Sequence, residues 1–278
     1  MAGKEQADKT LCFDAYMDAI AQAHVESLAI RDGGCGPSTK EAIQRIARGT
    51  SSWRDSGKSD EPQRGTGNGI PMKIGALAAW YATPCGQSFG QWFDFNQACI
   101  DYSNMTHYTK ISAQAGLVHA WCVLYCLQTD PSCFSNDDFL NIANSLWRTG
   151  SVYDPVRDTA DQLSDIFLVL EQTDLTQTNR DQLRQLFGNG SCYVYNSLPF
   201  TYAFFLRNPH STQSLDDVIN AGGDTDTNGK MLGELLGALH GIELFQQPEN
   251  QWMLDGLQDY SELASLADKF CDVFGVMG

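Results

Sequence analysis

A short acidic turn carries the residues with the clearest capacity for chemistry. Asp224 and Asp226 bracket a threonine, Thr227 follows them, and Gly222 and Gly223 come directly before. Paired glycines permit a tight turn with positive φ. Carboxylate and hydroxyl oxygens at such a turn are the hard ligands that suit Mg²⁺. A helix N-terminus also stabilises a carboxylate, so the turn predicts either a metal site or a helix cap.

The segment after this turn predicts a helix with an unusual glycine pattern. Glycine recurs every four residues at Gly229, Gly233, Gly237 and Gly241, although each glycine inside a helix costs about 1 kcal/mol relative to alanine. The stripe therefore predicts that another helix packs very close, with the acidic turn deep in the fold. A calcium-binding EF-hand loop is excluded because position 235 is Leu where that loop requires Glu.

A second glycine cluster, Gly65–Gly69, ends a long polar segment that begins at Gly49 and leads into an apolar helix from Pro71. Closely spaced glycines let backbone N–H groups approach an anionic or sugar ligand, and a helix N-terminus favours phosphate. The spacing does not complete the dinucleotide-binding fingerprint, and no strand precedes it. The cluster thus predicts either a ligand-binding loop or a flexible loop end.

Helical periodicity dominates the elements that must position these residues. A start signal for a helix lies at Ser38, with Glu41 three residues later. The best strand-like segment, Ser191–Tyr195, is short. The pattern predicts one all-α domain over residues 1–278. The other predicted helices are Leu11–Ile30, Ile111–Leu127, Asn136–Trp147, Thr159–Leu170, Asp181–Phe187, Ser197–Phe205 and Ser261–Phe274.

Composition excludes several classes of protein. The formal charge is −16, from 34 acidic and 18 basic residues, which argues against nucleic acid as a partner. The nine cysteines are odd in number and form no CxxC pair; Cys122 and Cys126 are expected to be core residues. The first ten residues are polar, and no run of about eighteen apolar residues occurs. We therefore expect a cytoplasmic protein with reduced thiols and no membrane partner.

Taken together, four segments resemble the ADP-ribosylglycohydrolase family, in that family's order. The resemblance extends from about residue 8 to the C-terminus and implies a single compact, all-helical orthogonal bundle. The most specific segment is the GGDTDT sequence at Gly222–Thr227. The four segments are Gly34–Thr39, Gly65–Lys73, the Thr106–His107 pair and Gly222–Thr227.

The resemblance implies a hydrolase that cleaves the N- or O-glycosidic bond at the ribose C1″ of an ADP-ribosylated protein or a related ADP-ribose conjugate. It implies one or two Mg²⁺ ions, with Asp224 and Asp226 as catalytic residues and metal ligands. Thr227 and Asp8 are implied as further metal ligands.

The resemblance also implies a set of substrate contacts. One glycine loop contacts the diphosphate, the other the distal ribose or phosphates, and a third segment the adenosine end. A buried, hydrogen-bonded role for His107 and core packing for Tyr193 are the structural alternatives. The implied contact residues are Gly34, Cys35, Gly36, Gly67, Asn68, Gly69, His107, Gly190, Ser191 and Tyr193.

The N-terminal metal-ligand segment departs from the family. Family members carry T-D-D-T where this chain has Ala7-Asp8-Lys9-Thr10, and a preceding G-D-A-x-G segment is absent. An ammonium at Lys9 would repel a second Mg²⁺, or would itself neutralise the acidic turn. We therefore expect this segment to be missing or degenerate. The alternatives are a catalytically impaired ADP-ribose-binding pseudoenzyme, a structural protein of the same fold, or a truncated reading frame.

Overall fold

The computed structural model describes residues 2–30, 35–61, 63–84, 86, 95–148 and 167–274. For residues 2–12 and 147–148 it describes the backbone only. It is built from helices and turns. The helices are α1 (Ala2–Ile30), α2 (Pro37–Ala47), α3 (Pro71–Ala82), α4 (Phe95–Asn104), α5 (Lys110–Gln128), α6 (Asn136–Arg148), α7 (Arg180–Leu186), α8 (Val194–Arg207), α9 (Gln213–Asn220), α10 (Thr225–His240), α11 (Gln251–Asp255) and α12 (Tyr260–Phe274). The described ranges contain no β-strand, only one isolated antiparallel bridge between Gly67 and Tyr193. The all-α prediction is confirmed.

Two helix starts differ from the sequence prediction. Helix α1 begins at Ala2, so Asp8 and Lys9 lie within it, although their side chains fall outside the described residues. Ser38 does not cap α2, because Pro37 already occupies the first helical turn and Gly36 stands at the N-cap position. The Ser38 hydroxyl instead accepts a hydrogen bond from the Gly65 amide at 2.9 Å. The predicted capping box is therefore wrong, and Ser38 ties α2 to the glycine loop.

Other elements were missed or differ in extent. Helices α4, α9 and α11 were not predicted, since each has ten residues or fewer, too few turns for a helical period to be distinguished. Of the helix predicted at Thr159–Leu170, residues 159–166 lie outside the described part. A helix is present at 167–172. The strand-like segment around Tyr193 pairs at that one residue and then enters α8.

Helix α5 is the centre of the core. It packs against α3, α4, α6 and α10, and every residue from Ile111 to Ala120 is buried. A helix that is apolar all round belongs inside a protein. Gly116 allows the close approach of α3, because a Cβ there would lie 2.5 Å from Ile70 Cγ2. The predicted core positions Cys122 and Cys126 are both buried. None of the described helices combines the length and the hydrophobicity that a bilayer crossing requires.

Helices α8, α9 and α10 pack against one another and carry the acidic turn at the start of α10. The prediction of a close helix along the whole glycine stripe is wrong. A Cβ at Gly229 would lie 3.3 Å from Ile219 of α9, but one at Gly233 or Gly237 would meet no described atom within 4 Å. Gly229 and Gly233 instead line a cavity of about 670 Å³ shared with α12.

Candidate functional site

The acidic turn has the backbone that its glycines predict. Gly222 and Gly223 adopt φ of +82° and +83°, a region open to glycine and strained for other residues. A side chain at Gly223 would overlap the carbonyl oxygens of Asn189 and Gly190. The Asp224 amide donates to the Gly190 carbonyl at 2.8 Å. The segment around Gly190 therefore holds the turn in place.

The Asp224 carboxylate does not act as a helix cap. Asp224 occupies the N-cap position of α10, yet its side chain makes no capping hydrogen bond to the first turn. Its Oδ2 atom accepts instead from the Asn68 side-chain amide at 2.8 Å. Asp226 Oδ1 accepts from the backbone amide of Thr227 at 2.9 Å. The capping alternative is thus wrong for Asp224.

The two carboxyl groups of the turn interact directly. Burial raises the pKa of Asp224, and the neighbouring Asp226 carboxyl raises it further, while the hydrogen bond from Asn68 opposes the shift. The hydrogen bond with Asp224 lowers the pKa of Asp226. Asp224 is only partly buried and Asp226 is exposed, so the turn lies at the surface and the prediction of a deep position is wrong. Two facing carboxyls of this kind favour a shared proton or a cation.

The side chains of the turn are of the types that could hold one divalent cation. Mg²⁺ commonly takes one or two protein carboxylates and completes its octahedron with water or phosphate. The two carboxyls offer such oxygens, and the Thr227 hydroxyl beside them is a further one. Within the described part of the chain, no three His, Cys, Asp or Glu side chains gather as a metal-binding group. A second ion would depend on Asp8, which lies outside the described side chains.

A buried network of polar side chains connects the turn to helix α8 and to the Gly190 segment. Ser197 donates to Asn228 Oδ1 at 2.6 Å, and Asn228 donates to the Gly190 carbonyl at 2.8 Å. Asn68 Nδ2 joins this network by its contact with Ser197 Oγ at 2.9 Å. Sequence reasoning missed Ser197 and Asn228. Two signals in the sequence could have indicated them. Ser197 and Thr201 lie four residues apart in an apolar helix, and Asn228 lies one helical turn after Asp224.

The glycine loop lies against the segment that contains Ser191 and Tyr193. Three backbone contacts join the two segments: Asn68 N to Cys192 O at 2.9 Å, Val194 N to Thr66 O at 3.1 Å, and the Gly67–Tyr193 bridge. Tyr193 is partly buried, and its ring centroid lies 5.9 Å from that of Tyr195. The Ser191 hydroxyl accepts from Asn196 at 3.1 Å. Two of the predicted contact segments are therefore neighbours in space.

His107 faces the other side of the glycine loop. A Cβ at Gly69 would lie 2.8 Å from His107 Cε1 and 3.7 Å from Thr39 Oγ1. The absence of a side chain at Gly69 therefore allows the imidazole to approach the start of α2, which follows Cys35 and Gly36. Cys35 is exposed, and Gly34 lies outside the described residues. The structure thus places His107, Gly190 and the 191–193 segment beside the Gly65–Gly69 loop or the acidic turn.

A partly buried cation, Lys73, is joined to His107 through Thr106, and its position was missed from the sequence. Lys73 Nζ donates to Thr106 Oγ1 at 2.9 Å, and the same oxygen lies 2.9 Å from His107 Nδ1. Burial and, next, the charge of Lys73 lower the pKa of His107 to about 3. Burial also lowers the pKa of Lys73 to about 8. His107 is therefore neutral at physiological pH.

The fold and the site together define an all-helical protein whose paired aspartates, at a glycine turn, adjoin a glycine-rich loop. The family model for ADP-ribosylglycohydrolase matches residues 4–277. No curated protein matches the chain. Because the family match covers nearly the whole chain, the protein belongs to the ADP-ribosylglycohydrolase family, which supports a glycohydrolase of that type.

Proposed function

We propose that the chain hydrolyses the N- or O-glycosidic bond at the ribose C1″ of an ADP-ribosylated protein or a related ADP-ribose conjugate, with Mg²⁺ at Asp224 and Asp226. The observation that carries the proposal is the hydrogen bond from Asn68 to Asp224. It joins the loop with glycine amides suited to phosphate to the turn with oxygens suited to a divalent cation.

Different residues of the chain would position the metal ligands and bind the diphosphate. Asn68 holds one oxygen of Asp224, so the two carboxyls present a fixed pair of ligands, with Thr227 as a third oxygen. The backbone amide of Asn68 already donates a hydrogen bond to Cys192 O. The amides of Gly67 and Gly69 make no hydrogen bond within the described ranges and can donate to a diphosphate. When bound, Mg²⁺ supplies polarisation of the ribose and a lowered pKa for a water molecule.

The alternative is a non-catalytic ADP-ribose-binding protein of the same fold. The small number of acidic groups at the site favours this alternative. The site offers two carboxyls, and among the described residues no third His, Cys, Asp or Glu side chain gathers with them as a metal-binding group. Binding of ADP-ribose without hydrolysis would follow from the same glycine loops if the water-activating groups are incomplete.

Calorimetry of ADP-ribose binding, in Mg²⁺ and in chelator, tests whether the metal increases the affinity. Release of ADP-ribose from ADP-ribosylated arginine and serine peptides tests the hydrolysis. We expect tighter binding with Mg²⁺ and measurable release. Asp226→Ala should abolish the metal effect, whereas Asp255→Ala, an exposed aspartate on α11, should leave it intact. Binding without metal effect or release would select the pseudoenzyme. An absence of binding would refute both.

A further inference from the structure

The side chains of Lys73, Thr106 and His107 form a hydrogen-bonded chain in which one direction of donation leaves the buried Thr106 proton paired. A protonated lysine has no acceptor, so Lys73 Nζ must donate to Thr106 Oγ1 across their 2.9 Å contact. The Thr106 hydroxyl has one proton and two lone pairs, and His107 Nδ1, also at 2.9 Å, is the only acceptor within its reach among the described residues, so the buried hydroxyl proton is paired only if it is donated to Nδ1. Nδ1 therefore accepts, and the proton of the neutral imidazole resides on Nε2.

We propose that Lys73 is a positioning residue that, through Thr106, fixes His107 as its Nε2–H tautomer and so presents an N–H donor to the substrate. The inference rests on the proposed function for the identity of the ligand. It concerns the unliganded protein as well, because the three side chains are already joined without a substrate.

The surroundings of His107 leave Nε2 as the free donor. The imidazole is 4% exposed and Thr106 is 1% exposed, so exchange of their hydrogen bonds with water is restricted. His107 Nε2 makes no hydrogen bond to any residue in the described ranges. A Cβ at Gly69 would lie 3.0 Å from it. The Nε2–H group thus points to the glycine loop, where the proposed ligand binds.

The groups around Lys73 explain why its proton is directed at Thr106. Within the described part of the chain, the groups that interact with Lys73 are His24 from α1, Cys35 before α2, Tyr102 from α4, and His107. None of these is a carboxylate that would compete for the ammonium. His24 is itself held neutral, because burial and then Lys73 lower its pKa to about 4, and its buried Nε2 has no partner among the described residues.

The same arrangement predicts a change at alkaline pH. Burial lowers the pKa of Lys73 to about 8, with Cys35 opposing the shift. A neutral amine can accept from Thr106, so the direction of donation is no longer imposed above that pH. The His107 tautomer ratio should then change as the pH rises through about 8 in the wild-type protein.

Long-range ¹H–¹⁵N NMR of the histidine rings in the unliganded protein tests the tautomer. We expect Nε2–H in the wild type and a mixture of tautomers in Lys73→Met. Lys73→Arg, which keeps a permanent donor, should hold Nε2–H without the change near pH 8. Lys58→Met is the matched control, because Lys58 is exposed and contacts the Tyr108 ring at 4.9 Å; it should behave as wild type. An Nδ1–H wild type, or an unchanged tautomer in Lys73→Met, would overturn the proposal.

Thr106→Val is a second variant that removes the hydroxyl and keeps the shape, in case Lys73→Met does not fold. It should give the same mixture of tautomers. An unchanged Nε2–H state in Thr106→Val would also overturn the proposal.

A double-mutant cycle on ADP-ribose affinity tests the consequence. Loss of one aligned hydrogen bond should weaken binding about tenfold in Lys73→Met. In a His107→Ala background, Lys73→Met should cause no further loss, since Lys73 acts through His107. An equal loss in both backgrounds would overturn the positioning role. If ADP-ribose does not bind at all, the proposed function fails while the NMR experiment still decides the tautomer.

Discussion

The side-chain amide of Asn68 donates to Oδ2 of Asp224 over 2.8 Å and joins residues 156 positions apart in the chain. The same nitrogen lies 2.9 Å from Ser197 Oγ. One buried asparagine therefore connects the glycine loop, the acidic turn and helix α8. Because Asn68 is only 5% exposed, water cannot readily replace these contacts.

Replacement of this asparagine should reduce the stability of the protein. Asn68→Ala leaves buried partners without a donor, so we expect the free energy of unfolding to fall by about 2 kcal/mol. Urea unfolding measures the loss. Asn220→Ala is the control, because Asn220 is exposed and bonds only within its own helix; its effect should stay within about 0.5 kcal/mol. Equal effects of the two substitutions would contradict the structural role of Asn68.

The Asp224 carboxylate should destabilise the metal-free protein near neutral pH. Burial and then Asp226 raise the pKa of Asp224. The native state thus binds this proton more tightly than the unfolded chain, and stability falls as the pH rises through the folded pKa. Asp224→Asn keeps an acceptor for Asn68 and removes the charge. At pH 7 without Mg²⁺ it should be more stable by about 1 kcal/mol or less, given solvent screening.

Thermal unfolding of this variant across pH 3 to 8, with and without Mg²⁺, measures both effects. The gain over wild type should vanish at low pH, where both proteins are uncharged at position 224, and Mg²⁺ should no longer stabilise the variant. Asp255→Asn, an exposed site, should follow wild type throughout. A variant less stable than wild type at pH 7 in chelator would contradict repulsion between the carboxyls.

Two glycine substitutions should change the free energy of unfolding in opposite directions. Gly223→Ala places a side chain on a backbone with φ of +83° and against two carbonyl oxygens; we expect a loss of about 3 kcal/mol or more. Gly233→Ala introduces a methyl group into open space within α10 and should stabilise the protein by about 0.5–1 kcal/mol. Guanidinium unfolding compares them. A destabilised Gly233→Ala would show that the stripe is tightly packed after all.

The buried pair of Glu234 and His119 should contribute stability that is lost in acid. Burial alone would raise the pKa of Glu234, but His119 at 3.2 Å and Lys230 at 3.2 Å outweigh it, so the pKa is lowered. The carboxylate therefore stabilises the fold above its unfolded pKa of about 4.3, and this stability is lost as the pH falls through the folded value.

Glu234→Gln should lower the free energy of unfolding at pH 7 by about 2 kcal/mol. Its stability should change less than that of wild type between neutral and acidic pH, as measured by urea unfolding at a series of pH values. Glu262→Gln, an exposed change in the first turn of α12, should reproduce the wild-type profile. A Glu234→Gln profile parallel to wild type would rule out the pair as a source of acid sensitivity.

Much of the fold and part of the site were accessible from the sequence because they depend on near neighbours. Helical periodicity arises between residues three and four apart, so the main helices and the all-α class were predictable. The positive φ at Gly223 follows from a paired-glycine turn, and the Asp224–Asp226 interaction follows from residues two positions apart. These features need little knowledge of the rest of the molecule.

The rest depended on contacts between distant segments. Whether Ser38 caps its helix or bonds to Gly65 is decided by the loop that reaches it, 27 residues later. Whether the glycines of α10 meet a helix or a cavity depends on where α9 and α12 lie. The partners of Lys73 were likewise invisible, because α3 and the turn at Thr106 are adjacent only after folding.

By itself, the sequence determined that this chain is helical and that it carries an acidic glycine turn, since both follow from local backbone preferences. Tertiary structure alone decided that Asp224 bonds to Asn68 rather than capping its own helix, and that Lys73 is joined to His107 through Thr106. The physical reason is that burial makes a polar group seek whichever partner packing brings near, and sequence spacing does not specify that partner.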